Sequence, residues 1–145
     1  MISIAEIDPK KAYFIRHKVL WPHKKINDCR IDIDHHEDAF HVGAYCYEEL
    51  VSIGSFFKLK NKKLPFDNQY RLRAMATLFN YQKIGAAKAL IDFSTEKLRI
   101  LNQDIVWCDA RIIAVPFYEK IGFIKIGDPY DIPIIGAHYL MYKTL

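Results

Sequence analysis

One junction limits what this chain can fold into more than any other. Between Tyr81 and Ile91 a short polar loop, Tyr81-Gln82-Lys83, turns into an amphipathic helical pattern whose first turn carries only small residues, Gly85, Ala86 and Ala87. The first amides of a helix have no carbonyl partner within it, and the helix dipole favours negative charge there. Small side chains at such a start let a pyrophosphate approach the main chain closely. The junction also comes late, after four strand-like segments. A dinucleotide-binding fold of the Rossmann type places its glycine loop after the first strand, with an acidic residue about 20 positions on, and this order does not match it.

The segments around the junction alternate between two periods. Ser3 to Ile7 reads as a first strand; Asp8-Pro9 then opens a helix to about Leu20, with Asp8 as N-cap and Pro9 at the first helical position. Ala12, Ile15, Val19 and Leu20 recur at helical spacing, which assigns Lys10, Lys11 and Arg16 to the opposite, wet face. Residues His23 to Asp38 are polar and read as a long connection. Strands follow at Ala39 to Tyr47, Leu50 to Leu59 and Tyr70 to Leu78, then a helix from near Gln82 to Leu101 that buries Ile84, Ala87, Ile91, Leu98 and Leu101. Gln103 to Asp109 is a strand, Ile112 to Lys120 a helix, and Gly122 to Gly127 and Tyr139 to Lys143 the last strands. The order β-α-β-β-β-α-β-α-β-β predicts an α/β chain in which one mixed sheet is flanked by helices.

The 145 residues, 51% hydrophobic and 26% charged, suit one ordinary globular domain over 1–145 and exclude a disordered chain. No apolar run is long enough to span a bilayer and no basic leader precedes one, so a cytoplasmic protein without a membrane partner is expected. Cys29, Cys46 and Cys108 have no close spacing, which argues against both a disulfide framework and a zinc site. Cys46 and Cys108 read as small core residues, Cys29 as partly exposed. The net charge of +4 is modest and the basic run Lys58 to Lys63 lacks interleaved aromatics, so no nucleic-acid partner is expected. His35-His36-Glu37-Asp38 has ligand chemistry, but no second ligand pair accompanies it, and no metal is expected.

Two motifs in the second half resemble a known family. Gln82-Lys83-Ile84-Gly85-Ala86-Ala87 matches the R/Q-x-x-G-x-G/A loop of the GNAT acyltransferases, and Tyr118-Glu119-Lys120-Ile121-Gly122-Phe123 is similar to their Y-x-x-x-G-F signature. The first half resembles the family only in its order of elements. Ile135-Gly136-Ala137-His138-Tyr139-Leu140-Met141 is similar to the I-P-H-x-x-M ending of a GNAT subgroup assigned only as acyltransferases, with Ala137 in place of proline.

The resemblance implies a mostly antiparallel twisted sheet and acetyl transfer from acetyl-coenzyme A to an amine, by direct attack in a ternary complex. Met75, Ala76 and Thr77, on a strand that splays from its neighbour at a bulge, would face the pantetheine arm. The loop of Gln82, Lys83, Ile84, Gly85, Ala86 and Ala87 would give amides to the pyrophosphate. Arg111, where many members have asparagine, and Phe117 would line the coenzyme cleft. Tyr118 would stand near the coenzyme sulfur as the acid; on residues alone it reads instead as a core aromatic beside Phe117 and Phe123.

Some members carry a glutamate base about eleven residues before the loop glutamine, and Arg71 occupies that place here. Arg71 and Arg73 share one face of a strand, where they would favour an acceptor with a carboxylate or phosphate or else form ordinary ion pairs. His138 would lie near the acceptor or serve structurally. The alternative to an enzyme is a non-catalytic acyl-coenzyme A binding domain, supported only by the missing carboxylate. Exposed strand edges also allow a homodimer.

Overall fold

A computed structural model describes residues 1–145. Its elements are β1 (Ile2–Glu6), α1 (Pro9–Ile15), β2 (Phe40–Cys46), β3 (Glu49–Phe57), β4 (Gln69–Thr77), α2 (Ala86–Ile100), β5 (Ile105–Arg111), α3 (Val115–Lys120), β6 (Ile124–Ile132) and β7 (Gly136–Thr144). The order is the one read from periodicity. All seven strands join one sheet, β1-β2-β3-β4-β5-β7-β6, antiparallel except where β4 meets β5. Alternation assigns the two faces. His41 and Ser55 point toward α1, whereas Phe40 stacks on Phe56 and lies under Lys97 of α2. The larger core cluster includes Val42, Ile53, Leu90, Leu98 and Met141.

Asp8 caps α1 as expected, its carboxylate accepting from the Lys10 amide at 2.9 Å. The helix then widens into a π-type turn over Arg16–Leu20, closed by the Trp21 amide on the Arg16 carbonyl at 2.9 Å. Arg16 belongs to the interior, not to the wet face, and is 0% exposed. Its guanidinium holds both carboxylate oxygens of Asp34 at 2.7 and 2.8 Å, the Cys29 carbonyl at 3.0 Å and the Ser55 hydroxyl at 2.9 Å. A helical wheel counts Arg as polar and cannot see a buried partner in a later loop. The same network folds the connection 23–38 inward and buries Cys29, which was expected to be partly exposed.

The second helix starts at Ala86 rather than near Gln82, because Lys83 and Gly85 take left-handed backbone angles, φ 64° and 88°, that break the helical path. Ile84 and Leu101 are therefore outside the helix and exposed, and Ala86, Leu90, Ile91 and Leu98 form its buried stripe. Ahead of α3, Ile112–Ala114 is a single 3₁₀ turn, as Pro116 near the helix start allows. The last two strands are longer than their apolar cores suggested: β6 has no buried residue, and β7 is exposed at both ends.

Candidate active site

A fork between β4 and β5 is the centre of the site. The two strands pair in parallel only from Gln69/Ile105 to Arg71/Trp107, and beyond that level no ladder joins them. On its other side β4 pairs with β3 through a bulge between Ser55/Arg73 and Ile53/Ala76, with Ala74 at φ 56°. A bulge inserts one unpaired residue and reverses the sides to which the following residues point. Arg73 and Ala76 thus share a face with Ser55 and Ile53, while Thr77 shares the opposite face with Ser52, whose hydroxyl it meets at 2.8 Å.

The fork leads directly to the phosphate loop. The amides from Lys83 to Lys88 have no backbone acceptor; the first to find one is Ala89, on the Gly85 carbonyl at 3.0 Å. No side chain caps α2. A methyl group built at Gly85 would meet nothing within 4 Å, so the ground in front of these amides is open. Open fork, unbonded amides and small residues suit a long thioester ending in a pyrophosphate. Met75, Thr77, Ala87, Arg111 and Phe117 are half-buried around this path, Ala76 and Ala86 are buried, and Gln82, Lys83 and Ile84 are exposed.

Tyr118 lies on the α2 side of β5. Its ring packs between Phe117 and Phe123, with centroids 5.3 and 5.1 Å away. Burial and the nearby Cys108 push the phenol well above its ordinary value, with no hydrogen bond to the hydroxyl contributing. Burial likewise raises the Cys108 thiol, which stays protonated and inert.

The opposite face of the fork is charged. Arg71 stacks 5.0 Å from the Trp107 ring and donates to Asp109 at 2.8 Å. The Tyr130 hydroxyl donates to the other Asp109 oxygen, and burial followed by that bond pushes its phenol upward. Asp109 therefore ties β4, β5 and β6 together at the base of the opening, a role that spacing alone did not suggest. Arg73 is different: no carboxylate pairs with it, and burial followed by the neighbouring Arg71 lowers its guanidinium from the ordinary value. Together with Lys24, Arg30 and Ile31 it lines a cleft of about 430 Å³. His138 pairs with Arg111 on β5 and Tyr130 on β6; its Nδ1 donates to the Gly136 carbonyl at 2.7 Å, leaving Nε2 as the acceptor in the neutral ring. His35 and His36 are exposed and do not converge with other ligand types.

The sequence matches the acetyltransferase (GNAT) domain model over residues 18–132. An uncharacterized N-acetyltransferase of Bacillus subtilis (strain 168), YitI, is 40% identical over 145 residues, covering 100% of this chain and 97% of that one. Among solved structures, Arabidopsis thaliana NAA60 with a bisubstrate analogue superposes with a TM-score of 0.79 at 15% identity, covering 99% and 98% of the two chains. An N-acetyltransferase-like protein of Lactobacillus plantarum gives 0.78 at 17% identity, with 99% and 98% covered. The chain belongs to the GNAT family of acetyltransferases. It is an acyl-coenzyme A-dependent acetyltransferase. No helix is long and apolar enough to cross a membrane.

Proposed function

We propose that residues 1–145 act as one cytoplasmic domain that moves the acetyl group of acetyl-coenzyme A to an amine by direct attack in a ternary complex. The observation that carries this reading is the continuity of the opened β4–β5 fork with the unbonded amides from Lys83 to Lys88. The loop holds the pyrophosphate, and Met75, Ala76 and Thr77 border the pantetheine arm. Arg111 and Phe117 line the walls. The acceptor enters from the face that carries Arg71, Arg73 and His138.

The reaction forms a C–N bond, breaks a C–S bond and moves one proton from the amine toward sulfur. Tyr118 is the donor to the departing thiolate. Its raised value changes how that works: a phenol well above 10 no longer matches a thiol near 8.5, so net transfer from Tyr118 is uphill. The hydroxyl instead stabilises the thiolate by a hydrogen bond, and the surplus proton of the amine finally neutralises it. Arg71 cannot take the amine proton, and its bond to Asp109 makes it a brace of the fork. With Nδ1 bonded to the Gly136 carbonyl, His138 is left with Nε2 on this face as a relay for that proton.

Calorimetric titration of acetyl-coenzyme A into the wild type and Gly85→Glu tests the site. A Cβ at Gly85 meets nothing within 4 Å, so the carboxylate reaches the space in front of the amides, although the φ of 88° makes any side chain there costly and the fold of the variant is checked by its unfolding midpoint. Binding that disappears in the variant supports the reading; equal binding in both, or none in the wild type, overturns it.

A further inference from the structure

The three arginines near the fork are not equivalent. Arg16 is locked on Asp34, and Arg71 on Asp109. Arg73 stands between them, half-buried, with no ion pair of its own; burial first and then Arg71 and Arg16 disfavour its charge, and Asp34 and Asp109, each already engaged by another arginine, offset this only in part. A half-buried guanidinium without an ion pair gains most from an anion that reaches it. Its place identifies the occupant. In the parallel register that ends at Arg71/Trp107, Arg73 is level with Asp109 across the open mouth of the fork. Arg30 and Lys24 join it in lining the 430 Å³ cleft, within the usual size for a small ligand. Asp28 and Asp32 also line it but are exposed at the rim. Lys24 and Arg30 are exposed at the same rim, so the cleft carries one net positive charge, and only Arg73 supplies it from a half-buried position, where a charge acts more strongly than in water. The phosphates of the coenzyme bind elsewhere, at the start of α2.

Building on the acetyltransferase reading, we propose that the acceptor is a small amine that also carries a carboxylate or phosphate, held by Arg73 with Arg30 and Lys24. Matched acceptors test it: β-alanine against β-alaninamide, and phosphoethanolamine against ethanolamine, followed by thiol release in the wild type, Arg73→Ala and Arg73→Lys. The anionic member of at least one pair is expected to have a kcat/KM roughly ten- to hundredfold higher, and the pair that responds distinguishes carboxylate from phosphate. Arg73→Ala should collapse that ratio through KM, and Arg73→Lys restore part of it. Calorimetry with N-acetyl-β-alanine and its amide reads the same preference without turnover. A ratio near one in the wild type, a ratio that survives Arg73→Ala, or no response to any anionic member overturns the proposal. Acetyl-coenzyme A titration of the same proteins separates that failure from failure of the acetyltransferase reading, since only the latter abolishes coenzyme binding.

Discussion

Two buried side chains show how much one residue can carry. Arg16 satisfies Asp34, Ser55 and the Cys29 carbonyl at once. Arg16→Ala should cost about 3–5 kcal/mol in urea unfolding, because it leaves a buried carboxylate alone. Combining Arg16→Met with Asp34→Leu should cost less than the single change, since no uncompensated charge remains. Tyr118 belongs to the buried core, and the proposed reaction gives it a chemical role as well. Tyr118→Phe should lower kcat about ten- to hundredfold with acetyl-coenzyme A affinity nearly unchanged, the loss of one hydrogen bond to a charged group. Unchanged kcat with tight binding would leave Tyr118 a core aromatic.

At the scale of elements, the fork depends on irregularity in β4. Ala74 holds φ 56°, a conformation that costs an L-residue with a Cβ about 1–2 kcal/mol. Ala74→Gly should therefore raise stability by about 1 kcal/mol in denaturant midpoint while keeping the bulge and activity. A gain accompanied by loss of coenzyme binding would mean that the bulge had slipped. The base of the fork depends instead on Asp109, whose carboxylate spans Arg71 and Tyr130. Asp109→Asn keeps the shape but removes the charge. It should weaken both stability and acetyl-coenzyme A affinity, measured by unfolding and titration, because the two strands lose their brace just below the opening.

For the whole molecule, the buried network of Arg16, Asp34, His41 and Ser55 makes folding depend on pH. His41 accepts from Ser55 at Nδ1, 2.7 Å away, and donates from Nε2 to the Asp34 carbonyl at 2.9 Å, an arrangement of the neutral ring. Burial, its largest influence, lowers the value of His41 below 6.5. Between that lowered value and 6.5 the unfolded chain binds more protons, so His41 adds stability that is complete above about 6.5 and lost as pH falls below it. Asp34 has the same sign at lower pH. Burial pushes its carboxyl up, but the Arg16 bonds and the Ile31 amide outweigh this and leave it below 3.8. Its contribution is full above about 4 and lost as pH drops through the folded value. Urea midpoints should fall in two stages, and His41→Gln should flatten the upper one. A midpoint constant from pH 7 to 5 would contradict this account.

The order of elements, the cap at Asp8, the loop at Gly85 and the signature from Tyr118 to Phe123 were legible in the sequence because each is written in neighbouring residues. Periodicity, caps and short motifs act over a turn or two of chain. The helix start was misplaced by four residues because left-handed angles at Lys83 leave no mark in composition. Of the charged half of the site, only the shared face of Arg71 and Arg73 and the candidacy of His138 were legible; the pairings were not. Arg16 finds Asp34 across 18 residues, Arg71 finds Asp109 across 38, and Tyr130 reaches Asp109 across 21. Sequence alone thus determined the kind of fold and marked the loop proposed to cradle the coenzyme. Only the tertiary structure decided which arginine is a core strut, which a brace and which is left without a partner, because pairing between distant segments depends on the register of a sheet that no local pattern encodes.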